Sequence, residues 1–351
     1  MTTGTHDIST LLATRNQSVA QFGLNNIVPI LERELAAHNA LVTGFVSDLA
    51  EFTTDRQRKY GVSVAGDMEE VDEYGRSRTQ VGKPGDTVGF PLKQYQFAIG
   101  WTRKWFENKT PADLAIATQA AERAHLRALM RDIKRAFMYS ANYTFADFLV
   151  DNVDLSVKRL VNADSANIPE GPNNEIFDGA THTHYLARAG GSLAASDVTG
   201  AINTLVEHGQ GQMVKLAISK TDETAFRALT GFIGYPDPRI VYRNTDTPGT
   251  TLDITRLDNR AIGIFGGAEV WVKPWMPANY IFIWDAGSDK PVIIRQRDGG
   301  TQPGLRIAGE NDAFPLHAQY MEAEFGAAVW NRTNGVMLYF GDTSYSDPTL
   351  N

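Results

Sequence analysis

His182-Thr183-His184 is the spacing in this sequence that comes nearest to a metal site, because alternate residues on an extended strand project to one face and imidazole is a common ligand. An ion needs further ligands. His125, His208, His317 and many carboxylates could supply them, but distance along the chain gives no reason to bring any of them close. His182 and His184 are therefore read as structural or surface residues, and no metal ligand is assigned. Trp101 and Trp105 lie one helical turn apart with Arg103 and Lys104 between them, a pattern able to stack on single-stranded bases; they are read as core or interface anchors. The loop from Asp298 to Gly304, with Gly299 and Gly300, permits close backbone approach to a ligand and is read as a turn cluster. Paired carboxylates such as Glu69-Glu70 and Glu322 with Glu324 are too common in an acidic chain to nominate an acid and a base. No phosphate-cradling loop, dinucleotide fingerprint, serine elbow, zinc-protease helix or calcium loop occurs. No catalytic residue and no cofactor is assigned, and the chain is not expected to be an enzyme.

Composition sets the bounds. At 351 residues with 42% hydrophobic and 21% charged residues, the chain can bury a sizeable core as one large domain or two smaller ones. It has no cysteine, so stability must come from packing and association. A net charge of −8, from 33 basic and 41 acidic side chains, argues against gripping phosphate backbones, yet suits a container from which nucleic acid must later leave. The polar start, Met1 to Gln21, has no secretory pattern, and apolar runs are too short to cross a bilayer, so no membrane segment is expected.

The elements follow from periodicity. Residues 1–24 read as a polar arm, and 26–53 as an amphipathic helix with Pro29 in its first turn and a possible break near His38. From Tyr60 to Thr102, two strand-like runs flank a charged middle and predict a long two-stranded hairpin. Its middle is polarised: Asp67, Glu69, Glu70, Asp72 and Glu73 on the outgoing limb, Arg76, Arg78 and Lys83 on the return. A solvated tip with cross-strand ion pairs and a contact with a neighbouring subunit both fit these charges. A lone hairpin of that length is marginal in water and should lie against something. Thr110-Pro111-Ala112-Asp113 predicts the start of a long helix reaching about Tyr139, its hydroxyl capping an amide and its acid complementing the dipole. Residues 162–191 are loop-like. Beyond them come a helix from Ser196, a strand Val214 to Ser219, a short helix from Asp222, a mostly loop stretch 231–260, and strands at 261–272, 280–286, 291–297 and 318–339. The fold class is α+β.

This order of parts resembles the HK97-type fold of tailed-bacteriophage major capsid proteins. Ala261 to Val272, followed by Pro274, Pro277 and Tyr280 to Asp285, is similar to the family's glycine-led strand, proline turn and second apolar strand. Ala323 to Val329 with Val336 to Phe340 resembles its last peripheral-domain strands. The resemblance implies an N-arm with helix over 1–58, an extended loop over 59–103, a spine helix and the first part of a peripheral domain over 104–191, an axial domain over 192–312, and final peripheral strands and tail over 313–351. It implies a structural protein that assembles as hexamers and pentamers into an icosahedral head in the host bacterial cytoplasm, and that encloses double-stranded DNA without sequence-specific binding. Implied partners are other copies of the chain, a portal, decoration proteins and either a separate scaffolding protein or, in its place, a scaffolding extension removed by prior cleavage. The hairpin charges become inter-subunit contacts, and Asp298, Gly299 and Gly300 become capsomer-centre loop candidates. Some family members join a loop lysine to a neighbour's asparagine; Lys83 or Lys93 with Asn331 or Asn334 are read as ordinary residues instead. Encapsulin shell proteins share the fold and form the nearest alternative. A metal-dependent α+β enzyme using His182 and His184 is the alternative of another class.

Overall fold

The structure is a computed structural model that describes residues 17–61, 68–77, 79, 85–188, 192–235, 259–297, 304–313 and 316–350. A short helix, α1 (Val19–Phe22), is closed by a capping box: Gln21 N–H donates to the Ser18 hydroxyl, and Ser18 N–H donates to the Gln21 side-chain oxygen. Gly23, at φ 90°, turns the chain into α2 (Leu24–Val46). The described end of the arm is thus folded: Val19 is buried with Ile27, Leu31, Trp101, Phe106 and Leu114. α2 runs unbroken through His38, and Pro29 lies inside it rather than in its first turn.

Residues 50–53 are not helical as expected but form strand β1 (Ala50–Thr53), which pairs in parallel with β13 (Val292–Gln296). The helical spacing of Leu49 and Phe52 loses to tertiary pairing, because Ser47 and Asp48 end the helix and Trp284 donates its indole N–H to the Asp48 carbonyl at 3.1 Å. The expected long hairpin is also corrected. β2 (Gln57–Tyr60) pairs with β3 (Asp86–Gly89) over four residues, whereas β4 (Lys93–Thr102) leaves the hairpin and pairs along its full length with β15 (Leu316–Val329). Pro91 divides the returning limb, and Gly326 on β15 meets it so closely that an added Cβ would sit 2.3 Å from the Pro91 carbonyl oxygen.

After α3 (Arg103–Asn108) comes the long helix α4 (Pro111–Met138). Its cap works differently from the expected hydroxyl-to-amide bond: the Asp113 carboxylate accepts from both the Thr110 N–H at 3.0 Å and the Thr110 hydroxyl at 3.1 Å. β5 (Tyr143–Ala146) and β6 (Asp154–Val157) form a small hairpin. The remaining elements are β7 (Tyr185–Ala187), α5 (Ala195–Val206), β8 (Val214–Ile218), α6 (Glu223–Arg227), β9 (Phe232–Gly234), β10 (Arg260–Phe265), β11 (Ala268–Val272), β12 (Tyr280–Asp285), β14 (Arg306–Ala313) and β16 (Val336–Tyr339).

Two sheets organise them. One runs β1-β13-β15-β14 with β4 also on β15; the other runs β7-β16-β12-β8-β11-β10-β9. The stretch assigned to an axial domain, 192–312, therefore divides: β8 to β12 belong to the seven-stranded sheet, while β13 and β14 belong to the five-stranded one. The expected closing pair also divides, β15 in one sheet and β16 in the other. β12 explains the continuous apolar run of its sequence, since it is buried on both faces. Ile281 and Ile283 point to α5 with Val198, Ala201, Ile202 and Leu205, while Phe282 and Trp284 point to the core shared with Leu129, Ile133 and Phe137 of α4. Polar β14 has no alternation to betray it and forms as an edge strand on β15.

Candidate functional site

Of the eight charged hairpin residues, Glu69, Glu70, Asp72, Glu73 and Arg76 lie in the described segment 68–77; Asp67, Arg78 and Lys83 lie outside the described residues, as do Asp298, Gly299 and Gly300. The segment turns at Asp72, whose carbonyl accepts from Gly75 N–H at 3.1 Å and whose carboxylate accepts from Tyr74 N–H at 3.0 Å. Around these charges Met68 is fully exposed, Tyr74 is 90% exposed and Val71 about half so. All three side chains stand in water on one ten-residue stretch. The residues weighed for a lysine–asparagine link are in part internal: Lys93 pairs with buried Asp132 at 3.0 Å, and buried Asn334 donates to the Asp285 and Asp289 carbonyls.

The described histidines separate into three settings. His317 lies against Trp101, ring centroids 6.3 Å apart. His38 and His125 meet at 3.0 Å between α2 and α4, beside buried Glu34 and Glu122. Burial, then the charge of Glu34, pushes Glu122 up to about 7, and burial holds His125 down at about 4.

The third setting gathers His182, His184 and His208, which distance along the chain gave no reason to unite. The turn Asp178 to Thr181 positions His182, its N–H donating to the Asp178 carbonyl at 2.9 Å. His184 enters β7 with its N–H bonded to the Val161 carbonyl and its own carbonyl accepting from Met337 N–H. His208 follows the end of α5, where Gly209 turns at φ 77°. The three Nε2 atoms converge: 3.3 Å between His182 and His184, 2.9 Å between His182 and His208, 3.0 Å between His184 and His208. Glu207 brings a carboxylate oxygen to 3.5 Å from His182 Nε2 and 3.9 Å from His208 Nε2. Phe177 covers His208 and His182 at centroid distances of 4.1 and 5.1 Å. Burial lowers all three imidazoles below their ordinary value, with His208 pushed down to about 3. Spacing in the sequence signalled only the first two members; His208 and Glu207 arrive because α5 packs on β12 and β16 of the sheet that β7 joins.

No protein-family model matches the chain, and no curated protein matches it. Among solved structures, one from Mycobacterium phage Patience is similar over 94% of this chain and 91% of its own, at 20% identity and a TM-score of 0.71. The capsid of a native GTA particle is similar over 84% and 88%, at 16% identity and a TM-score of 0.48, and the cyanophage A-1(L) capsid over 87% and 93%, at 14% and 0.48. With its capped spine helix, its two sheets and its long strand β15 shared by β4, β13 and β14, the chain has the α+β fold of HK97-type phage capsid proteins.

Proposed function

We propose that this chain is the major capsid protein of a tailed bacteriophage, a structural protein that closes into an icosahedral head of hexamers and pentamers around double-stranded DNA. The observation that carries this reading is the HK97-type fold, matched over nearly the whole chain. The exposed Met68, Val71 and Tyr74 support it, because a surface of this kind gains stability by lying on a neighbouring subunit. The charges of Glu69, Glu70, Asp72, Glu73 and Arg76, with Asp67, Arg78 and Lys83, then fix the register of that contact by complementarity. Asp298, Gly299 and Gly300 are proposed to approach the capsomer centre. In this reading the protein resides in the virion, having assembled in the host bacterial cytoplasm with a separate scaffolding protein, a portal and decoration proteins, and holds DNA without reading its sequence. The acidic balance agrees, since a basic lining would retain DNA through counterion release.

Electron microscopy of the purified protein, together with its ultraviolet absorbance ratio of nucleic acid to protein, tests the proposal. Closed shells or capsomer rings, with DNA inside when isolated from particles, are the expected result. Shells filled with protein cargo and free of DNA would move the assignment to an encapsulin compartment. A species that stays monomeric under every salt and scaffold condition would remove the shell reading altogether.

A further inference from the structure

The three Nε2 atoms of His182, His184 and His208 form a triangle that hydrogen bonding alone cannot satisfy. His184 Nδ1 lies 2.7 Å from the Gly335 carbonyl oxygen, which only accepts, so Nδ1 carries a proton and the uncharged form of this ring presents a bare lone pair at Nε2. The two remaining rings offer four proton placements. If only His182 carries a proton on Nε2, the lone pairs of His184 and His208 face each other at 3.0 Å. If only His208 does, those of His182 and His184 oppose at 3.3 Å. If both do, two N–H groups collide at 2.9 Å, and if neither does, all three contacts are repulsive. A cation at the centre accepts all three lone pairs at once.

We propose that His182, His184 and His208 bind a zinc-class divalent ion, with the Glu207 carboxylate as fourth ligand. Tetrahedral zinc with Zn–N near 2.0–2.1 Å separates its ligand atoms by about 3.4 Å, close to the triangle observed. Imidazole with one carboxylate suits zinc and its neighbours in the first transition series rather than magnesium or calcium. The carboxylate neutralises part of the ion's charge, and a rotation of the half-exposed Glu207 side chain closes its remaining distance. Gly335 supplies the outer partner that fixes the His184 tautomer.

The site is a structural one. His184 is completely buried, the His208 side chain is 2% exposed, and Phe177 lies over both His182 and His208, leaving no open position for a substrate. What the ion joins is three separate pieces of chain: the 178–184 turn, the end of α5, and, through Gly335, the start of β16. It clamps the irregular segment 162–184 to the seven-stranded sheet. This inference is independent of the shell reading and holds for a subunit in any assembly state.

The full-length protein, stripped with a chelator and dialysed, is titrated with Co²⁺ and then with Zn²⁺. Binding of one equivalent is expected, with the visible bands of tetrahedral Co²⁺ bleached by Zn²⁺, and thermal unfolding shifted upward by the metal. His182→Gln changes the least buried imidazole and is expected to weaken Co²⁺ by about a hundredfold or more; Glu207→Gln, at a more exposed position, by about tenfold. A circular dichroism spectrum matching that of the parent chain keeps the variants comparable. Substoichiometric metal, octahedral Co²⁺ bands, or an affinity unchanged in both variants would overturn the site.

Discussion

Single residues hold this fold where a buried charge is fully supplied with donors. Asp285, at the end of β12, is completely buried, which by itself would raise its pKa; backbone N–H groups of Gln212, Met213 and Gly287, with the Ser288 hydroxyl, bring it down to about 2. Gly211 N–H adds a bond of 2.7 Å. A carboxylate held below its ordinary value of 3.8 stabilises the folded chain above that pH and loses the contribution as pH falls toward 2. Asp285→Asn keeps the shape but loses the charge and turns an amide N–H₂ toward donors, so it is expected to cost about 2 kcal/mol at neutral pH. Urea unfolding of unassembled protein, read by tryptophan fluorescence, measures this; an unchanged midpoint would show that the loop 209–213 does not depend on the charge. The Asp285 donor set was invisible in the sequence, because four of its five donors are main-chain groups, which carry no residue-type signal.

Between elements, the contact of α2 with α4 is a polar seam inside an apolar interface. Glu34 and His38 occupy core positions of the α2 stripe, in phase with Ile27, Ile30, Leu31 and Leu35, and face Glu122 and His125 of α4. Their phase was legible: polar residues at buried helical positions need partners. Which partners was not, since α4 lies some ninety residues away along the chain. Glu122, raised to about 7 from 4.5, contributes stability below pH 4.5 that is lost as pH rises through 7; Arg123 opposes that shift only in part. His125, lowered from 6.5 to about 4, contributes stability above 6.5 that is lost as pH falls through 4. The two slopes oppose each other across the acid range. Glu122→Gln removes one of them: it is expected to stabilise the chain by about 1–3 kcal/mol near pH 8, to change little near pH 4, and to leave the rising histidine slope between. Melting temperatures of parent and variant across that range decide it, and parallel curves would mean that Glu122 ionises normally.

At the scale of the molecule, the segment 68–77 carries two of the most exposed large side chains among the described residues, Met68 and Tyr74. Met68 and Tyr74 would each contribute about 1.5–3 kcal/mol if buried on a neighbour, and in the proposed shell such a contact would repeat around every capsomer. Met68→Ser combined with Tyr74→Ser is therefore expected to leave the subunit folded, by circular dichroism, while raising the concentration needed for assembly by about tenfold or more in light scattering. Assembly at the parent concentration would mean that the segment is a solvated tip and that register is set elsewhere.

The sequence by itself determined what local chemistry and period can carry. The capped start of α4 at Thr110 to Asp113, the helix and strand at Ala195–Val206 and Val214–Ile218, and the apolar run of β12 were all legible, whereas the single strand expected over 261–272 is two antiparallel strands, turned at Gly266-Gly267. The order of parts that resembles HK97-type proteins was legible too. Only the tertiary structure decided that residues 50–53 are a strand, that β4 abandons its hairpin for β15, that polar β14 forms at all, and that His208 completes the pair at His182 and His184. The physical reason is common to the four cases. Strand pairing and side-chain convergence draw their energy from partners remote in the chain, and a period read along one segment contains no information about which partner will be there.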